Sequence, residues 1–193
     1  LHQQTLKDTE GLLGPNHPDT LTSRNNLAVA YRDAGRLDQA IELHEQTLDD
    51  RTHILGPNHP DTLGSRNNLA YTYQAAGRLD DAIPLLEQTL EDRTRILGTN
   101  HPSTLASRNN LAYAYQDAGR LDEAIPLYEQ TLEDSTRILG TNHPSTLTSR
   151  NNLASAYRAA GRTEEAAALF ETPSGSEDEQ DGTENNPDRE TGD

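Results

Sequence analysis

The feature that most limits what this chain can fold into is a 42-residue period. Residues 55–96 read LGPNHPDTLGSRNNLAYTYQAAGRLDDAIPLLEQTLEDRTRI, and residues 97–138 repeat them with eight differences. A looser copy begins at Leu13 and a fourth at Leu139. His17, His59, His101 and His143 keep the register, each 42 residues after the last. Self-similarity at such a period is the signature of a solenoid, whose units pack only on their neighbours. The composition fits this reading. With 32% hydrophobic residues, one Phe and no Trp, a single globular core would be thin. Stacked helices that meet through Ala, Leu and Tyr need no more.

Each unit reads as a helix–turn–helix pair. Pro18, Pro60, Pro102 and Pro144 suit the first helical position, where a missing N–H is harmless and the fixed φ is already helical. Asp19, Asp61, Ser103 and Ser145 follow in the first turn, beside the positive end of the helix dipole. In the second unit Leu63, Leu69, Ala70 and Tyr73 form an apolar stripe, and Gly77 stops the helix. Ala82, Ile83, Leu86 and Leu90 mark the inner side of the second helix. Pro84 and Pro126 fall early in that helix, where they bend rather than break it. Leu-Gly at 55–56, 97–98 and 139–140 closes it, with Gly expected in the left-handed helical conformation. Glu91 with Arg95 and Glu133 with Arg137 have the favourable i,i+4 order. Short connections make the two helices antiparallel neighbours.

The divisions that follow are 1–12, the second helix of a truncated preceding unit; 13–54, 55–96 and 97–138, three full units; 139–172, a shortened fourth; and 173–193, a disordered acidic tail. Residues 1–6, LHQQTL, align with 43–48, LHEQTL, so the chain starts inside a second helix. With no Met, it is expected to be a piece of a longer protein or a processed product. Residues 174–193 lack apolar side chains.

The pattern Leu69-Ala70-x-x-Tyr73-x-x-x-Gly77, followed by Ala82, resembles the tetratricopeptide repeat. The 42-residue period and the wording HP…NNLA…Y…EAIPLYEQTLE resemble its kinesin-light-chain subclass, also common in multi-domain actinobacterial proteins. The resemblance covers residues 1 to about 172 and implies an all-α fold, a right-handed α-solenoid of antiparallel helix pairs. The family's large second-helix residue is His44, Leu86, Tyr128 and Phe170, and its following Ala is Thr47, Thr89 and Thr131, departures that imply altered local packing within the same fold.

Chemistry is largely excluded. The net charge of −16 opposes nucleic acid and anionic membranes as partners. Nine acids against Arg189 concentrate half of that charge in residues 171–193. No Cys is present, no apolar run approaches the roughly 18 residues of a membrane span, and no signal peptide opens the chain, so a cytoplasmic location is expected. Neither a phosphate loop nor a Gly-x-Ser-x-Gly elbow occurs, so we expect no enzyme, no cofactor and no metal. The four His stand at least one helix spacing apart, roughly 8–10 Å, too far to share an ion bound at about 2.0–2.1 Å. They read as turn residues at the helix entries.

A helical wheel places Leu63, Arg66, Leu69, Ala70 and Tyr73 on one side of the first helix and Gly64, Asn67, Tyr71 and Gln74 on the other. The first side is core, so Arg24, Arg66, Arg108 and Arg150 bury their stems there while their heads reach water. In the resembling family the exposed face of the first helices lines a concave groove that holds the ligand. That implies a ladder of Asn25, Asn67, Asn109 and Asn151, whose amides can bond a peptide backbone. The adjacent Asn68 and its copies lie at the groove's edge, in reach of a neighbouring helix. Tyr71 and Tyr113 add aromatic anchors at the centre, Gln74 and Gln116 flank them, and Arg32 and Arg158 occupy the Gln74 position at the two ends. Asp33 and Asp117 offset those charges, giving a near-neutral groove. Kinesin light chains favour acidic peptides with an aromatic anchor, a preference this charge balance does not carry over.

The leading expectation is a non-catalytic scaffold binding a peptide or protein segment in its groove. Two others remain: a C-terminal sensor arm of a larger signalling ATPase or transcription regulator, and an architectural array with end-to-end self-association.

Overall fold

The structure, a computed structural model, describes residues 1–170. The acidic tail expected from residue 173 lies outside them. Among the described residues there are nine helices and no strand. They are α1 (His2–Leu13), α2 (Pro18–Asp33), α3 (Leu37–Leu55), α4 (Pro60–Ala75), α5 (Leu79–Leu97), α6 (Pro102–Asp117), α7 (Leu121–Leu139), α8 (Pro144–Ala159) and α9 (Thr163–Ala168). Each helix packs on the one before and the one after, with α2 also touching α4 and α6 touching α8. This is an α-solenoid, with α2, α4, α6 and α8 as first helices and α3, α5, α7 and α9 as second helices. No helix among the described residues is long and apolar enough to cross a membrane.

The helix ends explain the recurring words of the sequence. At each first helix the His is the N-cap, with Pro directly after it. The ring does the capping: His59 Nδ1 accepts the Asp61 N–H at 3.2 Å, and His101 Nδ1 accepts the Ser103 N–H at 3.1 Å. At the other end Gly77 N–H bonds the Gln74 carbonyl and Arg78 N–H the Tyr73 carbonyl, both at 2.8 Å. That is the Schellman arrangement, with Gly77 at φ 71° where a side chain would be strained. The glycine closing each second helix departs from expectation. Gly98 has φ 88° but ψ 162°, outside the left-handed helical region, because the chain must turn straight into the extended backbone of the His N-cap.

A continuous core runs from Ile41 of α3 to α9. Leu69, Ala70 and Tyr73 of α4 meet Ala82, Ile83 and Leu86 of α5, and equivalent residues continue it through α6 to α9. Where the fourth unit shortens, burial fails. Leu21, Leu63 and Leu105 are at most 4% exposed, but their copy Leu147 is 41% exposed, because α9 has six residues where α7 has nineteen. Thr47, Thr89 and Thr131, standing where the family pattern has Ala, are buried and bond carbonyls one turn back at 2.6–2.7 Å.

Polar spokes cross this core. Arg66 and Arg108 are buried as expected, but their heads do not reach water. They donate to Asp92 and Asp134 of the same unit at 2.8 Å, and Arg24 pairs likewise with Asp50. The Asp92 carboxylate also accepts from Arg95 at 2.7 Å, and Asp134 from Arg137 at 2.6 Å. This replaces the expected Glu91–Arg95 and Glu133–Arg137 pairs, since a carboxylate already turned inward offers a better partner than a solvated one. Burial alone would raise the Asp92 carboxyl, but the two guanidinium groups outweigh it and hold the pKa below the ordinary value. A second set of spokes links successive units. Arg51 donates to the Ser65 hydroxyl at 2.8 Å and the Asp61 carbonyl at 3.2 Å, and Arg93 repeats this on Ser107 and Ser103 at 2.7 and 3.2 Å.

His44 is the least comfortable group in the core. It is fully buried, and neither ring nitrogen has a partner among the described residues. Burial, with the Arg32 charge adding to it, lowers its pKa from 6.5 to about 4. The unfolded chain therefore takes up a proton near pH 6.5 that the folded chain refuses until about pH 4, and stability falls as pH drops through that window. The loss from this residue should approach about 3 kcal/mol at the acid end. Replacing it by the residue its copy already uses, His44→Leu after Leu86, should flatten the dependence, as urea unfolding at pH 7 and pH 5 will read.

Candidate peptide-binding groove

Three consecutive first helices build one cleft of about 410 Å³. α2 supplies Arg32 and Asp33, α4 supplies Tyr71 and Gln74, and α6 supplies Tyr113 and Asp117. The 42-residue period sets this up. Positions 32 and 74, and positions 71 and 113, are copies, so stacking the units puts like positions side by side. Both rings stand out of the helix surface, Tyr71 48% and Tyr113 44% exposed, while Tyr73 and Tyr115 two residues on are buried in the core.

The charged groups are held in place. The Arg32 guanidinium donates to Asp33 through Nε at 3.1 Å and Nη2 at 2.8 Å, and its carbon lies 4.8 Å from the centre of the Tyr71 ring. The Asp117 carboxylate, and then burial, pushes the Tyr113 hydroxyl upward in pKa, while burial raises the Asp117 carboxyl itself. Gln74 Nε2 is shielded from solvent and has no partner among the described residues. The cleft thus offers two aromatic faces with hydroxyl and carboxyl groups. Asp33 and Asp117, read from sequence only as charge offsets, are part of its wall.

The remaining residues of the expected groove do not line this cleft. Gln116 reaches across to Ser155 of α8 at 3.2 Å, and Arg158 is exposed at the end of α8, outside the cleft lining. The asparagine ladder exists, but as a chain of bonds between units. Asn68 Nδ2 donates to Asn25 Oδ1 at 3.0 Å, Asn110 to Asn67 at 3.0 Å, and Asn152 to Asn109 at 2.9 Å. The double Asn therefore divides its work: the second residue reaches back to the carbonyl oxygen of the first residue one unit earlier. That leaves the Nδ2 groups of Asn25, Asn67 and Asn109 as the ladder's donors. Asn151 is exposed at the end of the row.

Arginines also stack on the buried tyrosines at each hairpin. Arg78, Arg120 and Arg162 lie 4.4, 4.3 and 4.3 Å from the ring centres of Tyr73, Tyr115 and Tyr157. Those hydroxyls donate to Glu45, Glu87 and Glu129 at 2.5–2.6 Å, and burial together with these carboxylates lifts each phenol to about 12. These groups tie units together behind the cleft and take no part in lining it.

A structural role for the second Asn predicts a measurable cost. Asn110→Ala should lower stability by about 1 kcal/mol, or roughly 2–4 °C in Tm for a chain of this size. Asn26→Ala, at the exposed end of the row, should stay within about 0.5 kcal/mol. Thermal unfolding of both variants checks the difference.

The tetratricopeptide repeat family model matches residues 1–52, 26–93, 61–134 and 107–172. Among solved structures, a kinesin-light-chain-type protein of Podosopora anserina with nearly identical TPR-like repeats is 39% identical, covering 87% of this chain and 80% of that one at a TM-score of 0.74. A single-substitution variant of those repeats gives 38% identity, 87% and 79% coverage, and a TM-score of 0.76. BtubC (BKLC) from P. vanneervenii, 23% identical, shares the fold over 99% of this chain and 76% of its own at a TM-score of 0.74. No curated protein matches the chain.

Proposed function

The chain belongs to the tetratricopeptide repeat family, and we propose that it is a non-catalytic cytoplasmic scaffold whose first-helix groove binds an extended segment of another protein. The family's general role is protein–protein interaction. The observation that carries the finer reading is the cleft shared by α2, α4 and α6, with Tyr71 and Tyr113 exposed in its wall. Exposed Tyr in a concave, partly shielded setting is the residue type enriched at binding hot spots. A peptide backbone fits the rest. The inter-unit bonds use the Oδ1 atoms of Asn25, Asn67 and Asn109, and their Nδ2 groups are of the donor type that a peptide carbonyl accepts from.

Because the asparagine oxygens also hold the units together, substituting them would mix binding with stability. The tyrosines give a cleaner test. Peptides selected from a random display library on the intact chain should bind a Tyr71→Ala/Tyr113→Ala variant at least about 30-fold more weakly, the loss of one hot spot of about 2 kcal/mol. Equal affinity for the two proteins would remove the cleft from the binding site.

A further inference from the structure

The junctions between successive units are not equivalent. At two of them, α3 to α4 and α5 to α6, an arginine from the second helix reaches under the next first helix; between α1 and α2 the same position is Thr9. Arg51 Nη1 bonds the Asp61 carbonyl and the Ser65 hydroxyl; Arg93 Nη1 bonds the Ser103 carbonyl and the Ser107 hydroxyl. Both guanidinium groups sit without a carboxylate in bonding contact, held by neutral oxygens, and burial is the main influence lowering their pKa.

At the α7–α8 junction the copy of these residues is Ser135, one of the eight differences between the middle units. The helices do not close over the missing side chain. A cavity of about 210 Å³ remains between α6, α7 and α8. Its wall contains Ser135, Ser145 and Ser149, so the two residues that would receive the arginine stand in place. Ser149, without a guanidinium to accept from, turns its hydroxyl back onto the Ser145 carbonyl at 3.0 Å. Thr146 beside it has a buried hydroxyl with no partner among the described residues, whereas its copy Thr104 bonds the Gly98 carbonyl at 2.8 Å.

The cavity has a floor and a mouth. Leu105, Thr131, Ser135 and Ser149 are buried, while Ala106 and Thr148 are exposed at its rim. Ala106 and Thr148 are consecutive copies of one position, the position of Gly64 on the groove-facing side of the first helix. Asn109, a rung of the asparagine ladder, borders the same opening.

We propose that this cavity takes the guanidinium side chain of an arginine in a groove-bound peptide, in the place that Arg51 and Arg93 occupy at the two preceding junctions. The stem lies along Leu105 and Leu139, and one terminal nitrogen donates to both the Ser145 carbonyl and the Ser149 hydroxyl. A planar guanidinium makes such paired bonds with its charge spread over three nitrogens, whereas a lysine ammonium is a compact, strongly hydrated charge that loses more on entering. The surplus negative charge of the chain, −16, favours a cationic side chain at this mouth. The source of the arginine rests on the peptide-binding reading; the cavity's preference for a guanidinium does not.

The test uses the full chain and a blocked arginine, Nα-acetyl-arginine N-methylamide, followed through backbone amide resonances. It should shift Ser135, Ser145 and Ser149 saturably while Tyr71 and Tyr113 stay still. The matching lysine compound should give no saturable shift. Ser135→Arg should abolish the response and raise Tm by about 2–4 °C, the equivalent of about 1 kcal/mol in a chain of this size. Ser149→Ala, which keeps the natural cavity, should weaken the response. No saturable shift, an equal response to lysine, a response unchanged in Ser135→Arg, or a lowered Tm in that variant overturns the proposal. Movement of the same resonances on Arg189→Ala in the free protein would assign the cavity to the chain's own arginine and overturn a partner's. Display peptides that ignore Tyr71 and Tyr113 beside a positive arginine titration would remove the groove reading and leave the guanidinium pocket. Tyrosine-dependent peptides that bind Ser135→Arg unchanged, with no arginine titration, would do the reverse.

Discussion

A helix pair of this length has apolar residues on more than one side, and no single pair can bury them all. Leu69, Ala70 and Tyr73 need α5 against them, and Ile83 and Leu86 need the next first helix. Everything else in the structure depends on that shortfall, because each unit becomes stable only when its neighbours stack on it. The same requirement aligns like positions of successive first helices, so one exposed side chain per unit becomes a row. It also sets what happens at an end. Leu147 is half uncovered where its three copies are sealed, because the second helix beside it is a third of the usual length.

Stacking by Ala and Leu alone would leave sliding between units cheap, and the polar groups counter this. Arg66 and Asp92 lock the two helices of one unit, Arg93 locks a unit to the next through Ser107, and Asn110 reaches back to Asn67. Each is buried or half-buried and geometrically particular, so a displaced register would leave it unpaired at a cost above its net contribution. The tyrosine–arginine stacks at the hairpins add a fourth tie. The Arg93-to-Ser135 difference leaves a cavity because it removes one tie without replacing it.

The groove inherits this division of labour. Tyr71 and Tyr73 differ by two positions and have opposite fates, one exposed in the cleft and one capped by an arginine in the core. The two members of the double Asn differ by one position and are joined across units, so the residues nearest the groove also hold it together.

Much was legible in the sequence. The period, the proline at each helix entry, the glycine at each turn and the 3.6-residue spacing of Leu, Ala and Tyr determine the helices and which face is core, since these are local and periodic properties. They separate Arg66 and Tyr73 from Asn67, Tyr71 and Gln74 without any structure. What only the tertiary structure decided is the choice of partners: Arg66 with Asp92 and Asn110 with Asn67, 26 and 43 residues apart, Arg93 with Ser107, 14 apart, and Arg95 with Asp92 in place of Glu91. A helical wheel knows which way a side chain points but not what stands opposite, because that depends on how neighbouring helices are offset. The cavity at Ser135 belongs to the same class. The sequence contained its cause as one substitution among eight, but whether the helices would close over the lost side chain was settled by packing alone.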